Sequence, residues 1–175
     1  GYEQTYMLGA REAKAMGAAL FVSEFGDDPK HDSVILANEL LQQEKHLVGF
    51  AFWAWKENGG GTWGVYAPAK IGGCLRAARE RLLARVYPRA SGDPALNYHY
   101  DPDTGGFTLT AHGRAGDPAT IVFIPPEVQG PVAVSGAAPE LVTGADGSRV
   151  VTASPSGGPF SIAVAPAPLA FSDCG

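Results

Sequence analysis

The sequence contains few cysteines and no long apolar segment. Its two cysteines, Cys74 and Cys174, lie a hundred residues apart, which excludes a close-spaced metal-binding motif and a disulfide-rich scaffold. They are either two unrelated thiols or, in a secreted protein, a disulfide that ties the tail to the first half. No stretch reaches the roughly 20 apolar residues that a membrane-spanning helix requires, so we expect no transmembrane segment.

Basic residues are also scarce. The chain has 13 Lys and Arg against 18 Asp and Glu, for a net charge of −5, and no basic patch indicates a nucleic-acid partner. Residues 1–4 include neither an initiator Met nor the charged and apolar regions of a signal peptide. We therefore expect the sequence to be an internal part of a longer protein. Its localisation stays open, secretion included.

Proline and charge are distributed unevenly along the chain. Residues 1–87 hold ten of the 13 basic residues, ten of the 18 acidic residues, all three tryptophans and only two of the 14 prolines. Residues 88–175 hold the other twelve prolines and three basic against eight acidic residues, so the whole net charge lies there. This change of composition predicts two domains, residues 1–87 and residues 88–175.

The first half alternates helical and strand patterns. Apolar or small residues recur at helical spacing in residues 2–16, 34–41 and 75–86. Between these segments lie two short apolar runs, residues 19–22 and 47–53, which are typical of strands buried on both faces. The order helix, strand, helix, strand, helix predicts right-handed crossovers in a parallel sheet.

Three details of these helices are predicted as well. Asp32 or Ser33 is the predicted cap of the second helix. Val86 is predicted to lie on the apolar face of the third helix. The arginines of that helix, Arg79 among them, are predicted mostly to face outward.

Two parallel strands alone cannot close a barrel or bury both of their faces. The first half is therefore physically incomplete. Either it oligomerises, or it is the last quarter of a larger α/β barrel whose earlier strands are missing from this chain. The residues at the strand ends favour the second interpretation.

The second half reads as a small antiparallel β-sandwich. Short β-branched and apolar segments alternate with turn residues such as those of residues 101–106 and 144–147. The predicted strands are residues 96–100, 107–112, 120–124, 132–134, 140–143, 149–153 and 160–165. No catalytic constellation is apparent here, so we expect a packing or stabilising accessory domain.

Chemically useful side chains follow both strands of the first half. Glu24 ends the first apolar run, and Trp53, Trp55, Lys56 and Glu57 end or follow the second. Because the carboxyl ends of parallel strands meet at one rim, we expect these residues to lie together. Indole faces stack on sugar rings, while Lys and Glu hydrogen-bond to sugar hydroxyls. The combination predicts a glycoside-binding site.

Glu24 is the best candidate for a catalytic nucleophile. A strand terminus fixes its backbone, which helps to hold the carboxylate near attack geometry. Retaining glycosidases use one carboxyl group as nucleophile and a second as acid and base. Asp27 and Asp28 are rivals, but they lie in a loop beside Pro29, and we expect them to shape the rim of the site.

Three segments carry a resemblance to a known family. They are FVSEFG at residues 21–26, GFAFWAWKEN at residues 49–58 and WGVY at residues 63–66. They resemble the last two strand ends of glycoside hydrolase family 5, a clan A family of retaining (β/α)8-barrel hydrolases. The continuation through residues 86–90 into a small β domain is most similar to the endoglycoceramidase-like branch.

The resemblance implies the last β/α units of a TIM barrel followed by a β-sandwich. It implies that Glu24 is the nucleophile after strand seven and that Trp53 floors the subsite where the bond breaks. Lys56 and Glu57 resemble residues that contact a neighbouring sugar. The substrate implied is a carbohydrate or glycolipid, and we expect neither a cofactor nor a metal ion.

The family's Asn-Glu pair after strand four, which supplies the acid/base, has no counterpart here, since Asn38 and Glu39 lie within a predicted helix. The sequence therefore predicts a carboxyl-terminal fragment of a retaining β-glycosidase that is inactive by itself. The alternative is a carbohydrate-binding or structural module without catalysis.

Overall fold

The computed structural model describes residues 1–56, 63–67 and 75–171. Contacts between residues divide the chain into two compact units, Gly1–Leu83 and Ala84–Phe171. The boundary between the units therefore lies slightly before the change in composition at residues 87 and 88. None of the helices described in these ranges is long and apolar enough to cross a membrane.

The first unit has the predicted order of helices and strands. Its regular elements are helix α1 (Tyr2–Ala15), strand β1 (Phe21–Phe25), a short 3₁₀ helix (Pro29–His31), a π-helical turn (Asp32–Leu36), helix α2 (Ala37–Lys45), strand β2 (Gly49–Phe52) and helix α3 (Ala77–Leu83). β1 and β2 pair in parallel, with Phe21 opposite Gly49 and Phe25 opposite Phe52, and a bulge lies between the two ends of the pairing. Asn38 and Glu39 lie in α2, as predicted.

Both long helices end in the same backbone motif. After α1, Ala18 N–H donates to the Ala13 carbonyl at 2.9 Å, and Gly17 adopts a φ of +66°. After α2, Val48 N–H donates to the Gln43 carbonyl at 2.8 Å, and Leu47 adopts a φ of +53°. These bonds satisfy carbonyls that a helix end leaves without partners, and they turn the chain directly into β1 and β2.

A polar network joins α1 to α2. The buried Tyr6 hydroxyl donates to the Glu39 carboxylate and accepts a hydrogen bond from Gln43 Nε2 at 2.9 Å. Burial and the bond to Glu39 raise the pKa of the Tyr6 hydroxyl. The hydroxyl therefore remains a donor throughout the neutral range, and its hydrogen bonds join the two helices.

The described part of the first unit has a small hydrophobic core. Phe25, Leu36 and Leu40 are buried, and Val22 and Phe52 pack against them. The other large apolar side chains of the two strands, Phe21 and Phe50, are exposed. The described residues of the first unit thus leave these two apolar side chains of the sheet exposed.

The second unit consists of two four-stranded antiparallel sheets. Their orders are β4-β5-β10-β7 and β3-β6-β9-β8. The strands are β3 (Tyr87–Ala90), β4 (Asn97–Tyr100), β5 (Phe107–Gly113), β6 (Thr120–Ile124), β7 (Val132–Ser135), β8 (Ala137–Thr143), β9 (Arg149–Pro155) and β10 (Gly158–Val164). The sequence predicted seven of these eight strands and missed β3, an edge strand that carries Pro88.

Both sheets contribute to one hydrophobic core. In β5 buried and exposed residues alternate, so that Phe107, Leu109 and Ala111 face inward. Val122 and Val151 face the same core from the other sheet.

Val86 also belongs to this second core, and its predicted place on the third helix was wrong. α3 ends at Leu83, and further along the chain Pro88 favours an extended conformation for Tyr87. The chain is therefore already extended when it enters β3, and Val86 is buried in the second unit.

Candidate functional site

The carboxyl ends of β1 and β2 are joined by a hydrogen bond. Trp53 N–H donates to the Phe25 carbonyl at 2.8 Å, one residue beyond the pairing of Phe25 with Phe52. Glu24, the residue before Phe25, has an exposed side chain, and the Trp53 side chain is 52% exposed. The predicted acid and the predicted indole therefore both lie at the carboxyl end of the two-stranded sheet.

The Glu24 carboxylate makes no hydrogen bond or ion pair with any other residue that the structure describes. It lines an open cavity of about 570 Å³ between α1, β1 and the segment that leads into α2. Tyr6, Val22, Gly26 and Glu39 line the same cavity. Glu24 is thus accessible to a ligand, and no neighbour in the described ranges neutralises it.

Gly26 allows the two strand ends to approach each other closely. A Cβ atom at this position would lie 2.3 Å from the Trp53 carbonyl oxygen and 3.2 Å from the Phe52 ring. The peptide bond between Trp53 and Ala54 is cis. The position of the Trp53 carbonyl thus leaves room only for a glycine at position 26, two residues after Glu24.

Trp55 and Lys56 contact the loop that follows β2. The Trp55 ring meets the Tyr66 ring edge to face at 5.1 Å, and Lys56 Nζ lies 5.4 Å from the centre of that ring. Val65 N–H is shared between the carbonyls of Ala54 and Trp55 at 3.0 and 3.1 Å. Trp53 and Trp55 thus have exposed side chains on a backbone that is hydrogen-bonded to Phe25 and Val65. Glu57, the last predicted site residue, lies outside the described residues.

The acidic residues after β1 form hydrogen bonds with neighbouring residues of the same loop. Asp27 Oδ1 accepts the backbone N–H of Asp28 at 2.6 Å and lies 3.1 Å from His31 Nδ1. These two bonds, that of His31 first, hold the pKa of the Asp27 carboxyl below its ordinary value. Asp28 accepts the Lys30 N–H at 3.1 Å and so caps the short 3₁₀ helix. Both acids shape the loop beside Glu24.

Two predictions about charged side chains near this loop were wrong. Arg79 does not face outward; it is 0% exposed, because it forms an ion pair with the buried Asp32. Asp32 does not cap a helix with its side chain, because both of its carboxylate oxygens bind the Arg79 guanidinium. Burial of a charged side chain is costly in free energy unless the charge is paired and hydrogen-bonded, as it is here.

Arg79 is the residue near the site that the sequence interpretation missed. A signal for it exists in the sequence, since position 79 lies four residues after Leu75 and three before Leu82. In a helix this spacing places all three residues on one face. An arginine on the apolar face of a helix predicts a buried acidic partner, and Asp32 is such a partner.

No cluster of three or more His, Cys, Asp or Glu side chains able to hold a metal ion occurs within residues 1–56, 63–67 and 75–171.

No protein-family model and no curated protein matches the chain. Solved structures do match its fold. Endo-glycoceramidase II from Rhodococcus sp., as a complex with a five-membered iminocyclitol, matches with a TM-score of 0.70 and 22% identity over 90% of this chain and 36% of that one. Its lactosyl-enzyme intermediate matches with a TM-score of 0.68 and 23% identity, over 90% and 35% of the two chains.

Sterylglucosidase 1 from Cryptococcus neoformans, solved with tris, matches with a TM-score of 0.63 and 15% identity over 87% of this chain and 29% of that one. At these identities the matches show a fold shared with two glycosidases. The chain spans about a third of the length of the structures it matches.

Proposed function

We propose that the chain is the carboxyl-terminal part of a retaining β-glycosidase of the glycoside hydrolase family 5 type. In this proposal the first unit contributes the last two β/α units of a (β/α)8 barrel, and the second unit is an accessory β-sandwich. The parallel pairing of β1 with β2 and the exposed Phe21 and Phe50 support the incomplete barrel. The shared fold with glycosidases nearly three times as long supports it independently.

The observation that carries the proposal is the hydrogen bond between Trp53 N–H and the Phe25 carbonyl. It fixes an accessible acid and an exposed indole at the carboxyl edge of two parallel strands, where barrel enzymes carry their catalytic groups. In the proposed role, the Trp53 ring supports the sugar whose bond breaks, and Glu24 attacks its anomeric carbon. A strand-end position holds the attacking oxygen near the required geometry.

The reaction needs a second carboxyl group. In a retaining mechanism the acid/base protonates the leaving-group oxygen while the nucleophile forms a glycosyl-enzyme ester, and it then activates the water that hydrolyses the ester. Glu39 lines the cavity beside Glu24, but its carboxylate accepts the Tyr6 hydroxyl in the helix layer. We therefore place the acid/base in a part of the longer protein that this chain does not include.

The proposed substrate is a β-linked sugar on an apolar aglycone. The structures that share the fold are an endo-glycoceramidase, solved also as a complex with ganglioside GM3, and a sterylglucosidase. Trp55, Lys56 and, outside the described residues, Glu57 are proposed to contact a neighbouring sugar. The strands and loops absent from this chain would form the aglycone site.

The test is the Glu24→Gln variant of the longer protein, assayed on an activated aryl β-glycoside, with sugar binding measured by calorimetry. We expect retained binding and loss of turnover, because glutamine keeps the shape but not the charge of the nucleophile. Glu12→Gln, an exposed change on α1, is the matched control and should retain turnover. Unchanged turnover in Glu24→Gln would rule out the nucleophile role, whereas sugar binding without turnover in the wild-type longer protein would leave a carbohydrate-binding module as the better interpretation.

A further inference from the structure

The Arg79 guanidinium binds four separate parts of the first unit. Its Nε donates to Asp32 Oδ2 at 3.0 Å, and its Nη2 donates to Asp32 Oδ1. Nη2 also donates to the Asp27 carbonyl at 2.6 Å, and Nη1 donates to the Trp63 carbonyl. Its Cζ lies 5.3 Å from the centre of the Phe52 ring.

These partners lie beside the candidate site on both strands. Asp27 is three residues after Glu24, and Phe52 directly precedes Trp53. Trp63 belongs to the loop after β2, which carries the partners of Trp55 and Lys56. One buried cation on α3 therefore holds the backbone after β1, the last side chain of β2 and the loop after β2.

The geometry of these contacts suits arginine alone. A guanidinium presents its donors in a rigid planar fork, whereas a lysine ammonium is a point charge on a flexible stem. A buried ion pair by itself is weak evidence for a role in stability, because apolar residues of similar volume often replace it without loss. The two backbone carbonyls are contacts that such a replacement could not reproduce.

We propose that Arg79 is a positioning residue of the candidate site, which sets the placement of Glu24 relative to Trp53. This inference rests on the proposed function. The carboxylate of Asp32 orients the guanidinium, and the guanidinium then fixes the two loops through their carbonyls. A mutation far from the reacting atoms that misplaces them by about 1 Å can cost roughly 10²-fold in rate, so a loss of this fixation is measurable.

The test uses the longer protein with the double change Arg79→Met/Asp32→Leu. This pair removes both charges together and leaves no unpaired charge, so the variant should fold, with a melting temperature lowered only by the loss of the two carbonyl contacts. We expect turnover of the aryl β-glycoside to fall roughly 10²-fold. We also expect faster hydrogen exchange in peptides that cover residues 26–28 and 53–56, while exchange in α1 stays unchanged. Arg11→Lys, an exposed change on α1, is the control.

Wild-type turnover and exchange in the folded double variant would overturn the proposal, since Arg79 would then contribute to stability only. If the double variant does not fold, Arg79→Lys is measured per folded molecule, and the same two results decide. If the proposed function is wrong, a different result is expected: either the wild-type longer protein is inactive or its Glu24→Gln variant is active. The exchange measurement would still decide whether Arg79 fixes the two loops.

Discussion

At the scale of single residues, the site depends on how closely the ends of β1 and β2 approach. Gly26 permits this approach, because any side chain there would meet the Trp53 carbonyl. In the proposed site, Glu24 would provide the charge and Trp53 the apolar surface, and a hydrogen bond from Trp53 N–H to Phe25 O joins the two strand ends. The chemistry of the site therefore depends on backbone positions as much as on the side chains themselves.

The first prediction concerns Gly26→Ala in the longer protein. The added Cβ would lie 2.3 Å from the Trp53 carbonyl oxygen, so the two strand ends must separate. We expect roughly 10²-fold lower turnover and a loss of about 1–3 kcal/mol in the free energy of unfolding. Gly116→Ala is the matched control, since Gly116 has a positive φ of +92° but open space around it. Equal turnover in both variants would contradict this account of Gly26.

The second prediction concerns the pH dependence that Asp27 contributes. Its pKa is lowered in the folded protein by His31 and by the Asp28 N–H, so its stabilising effect is present above the ordinary carboxyl pKa of 3.8 and is lost as pH falls through the lowered value. Asp27→Asn should therefore be less stable than wild type at neutral pH, and the difference should disappear in strong acid. Chemical denaturation across this pH range measures it.

His31→Gln provides the comparison for Asp27. Removing the first cause of the lowered pKa should shift the acid-induced loss of stability to higher pH. If stability falls with decreasing pH in the same way in His31→Gln as in wild type, the contact between His31 and Asp27 does not lower the pKa of Asp27 in solution.

At the scale of helices and strands, most of the fold could be predicted from sequence patterns. The alternation of helical and strand periods predicted the order of the five main elements of the first unit, because apolar residues recur in each segment at the spacing of its element. The turn residues between short apolar segments predicted seven of the eight strands of the second unit. β3 was missed because Pro88, at an edge position, interrupts a segment with little alternation.

Burial of charge was the part of the site that the patterns did not predict. Helical periodicity assigns charged residues to the solvent-exposed face of a helix. Arg79 is an exception, because Asp32 and two backbone carbonyls accept hydrogen bonds from its buried guanidinium. These partners lie 16 to 52 residues away in sequence. The strand-end positions of Glu24 and Trp53 were accessible to prediction because they follow directly from local patterns.

The third prediction concerns the start of the second unit. Val86 is fully buried in its core, Tyr100 donates to the Ala84 carbonyl at 3.2 Å, and Arg85 Cζ lies 5.0 Å from the Tyr100 ring centre. A chain of residues 84–171 should therefore fold, and a chain of residues 88–171 should be less stable by about 2–4 kcal/mol. Thermal and chemical unfolding followed by circular dichroism compare the two.

The Val86→Ala variant of the longer of these two chains separates the causes. It should lose about 2 kcal/mol, since it removes buried methyl groups but keeps the contacts of Tyr100. Equal stability of the chains that start at residues 84 and 88 would contradict the assignment of Val86 to this core.

At the scale of the whole molecule, the chain is proposed to hold one of two catalytic carboxyl groups. The fourth prediction is that the 175-residue chain alone does not turn over an activated aryl β-glycoside efficiently, whereas the longer protein does. Protonation of the leaving group typically contributes roughly 10²–10⁴-fold to the rate, and the chain does not supply it in this account. Equal turnover per molecule by the two proteins would contradict the proposed division.

The central claim is that Glu24 is the nucleophile, and covalent trapping tests it most directly. A 2-deoxy-2-fluoro glycoside with a good leaving group forms a slowly hydrolysed ester with the nucleophile of a retaining enzyme. After such a reaction of the longer protein, proteolysis and mass spectrometry should locate the sugar on Glu24. A label on Asp27, on Glu57 or on a carboxylate outside this chain would contradict the account.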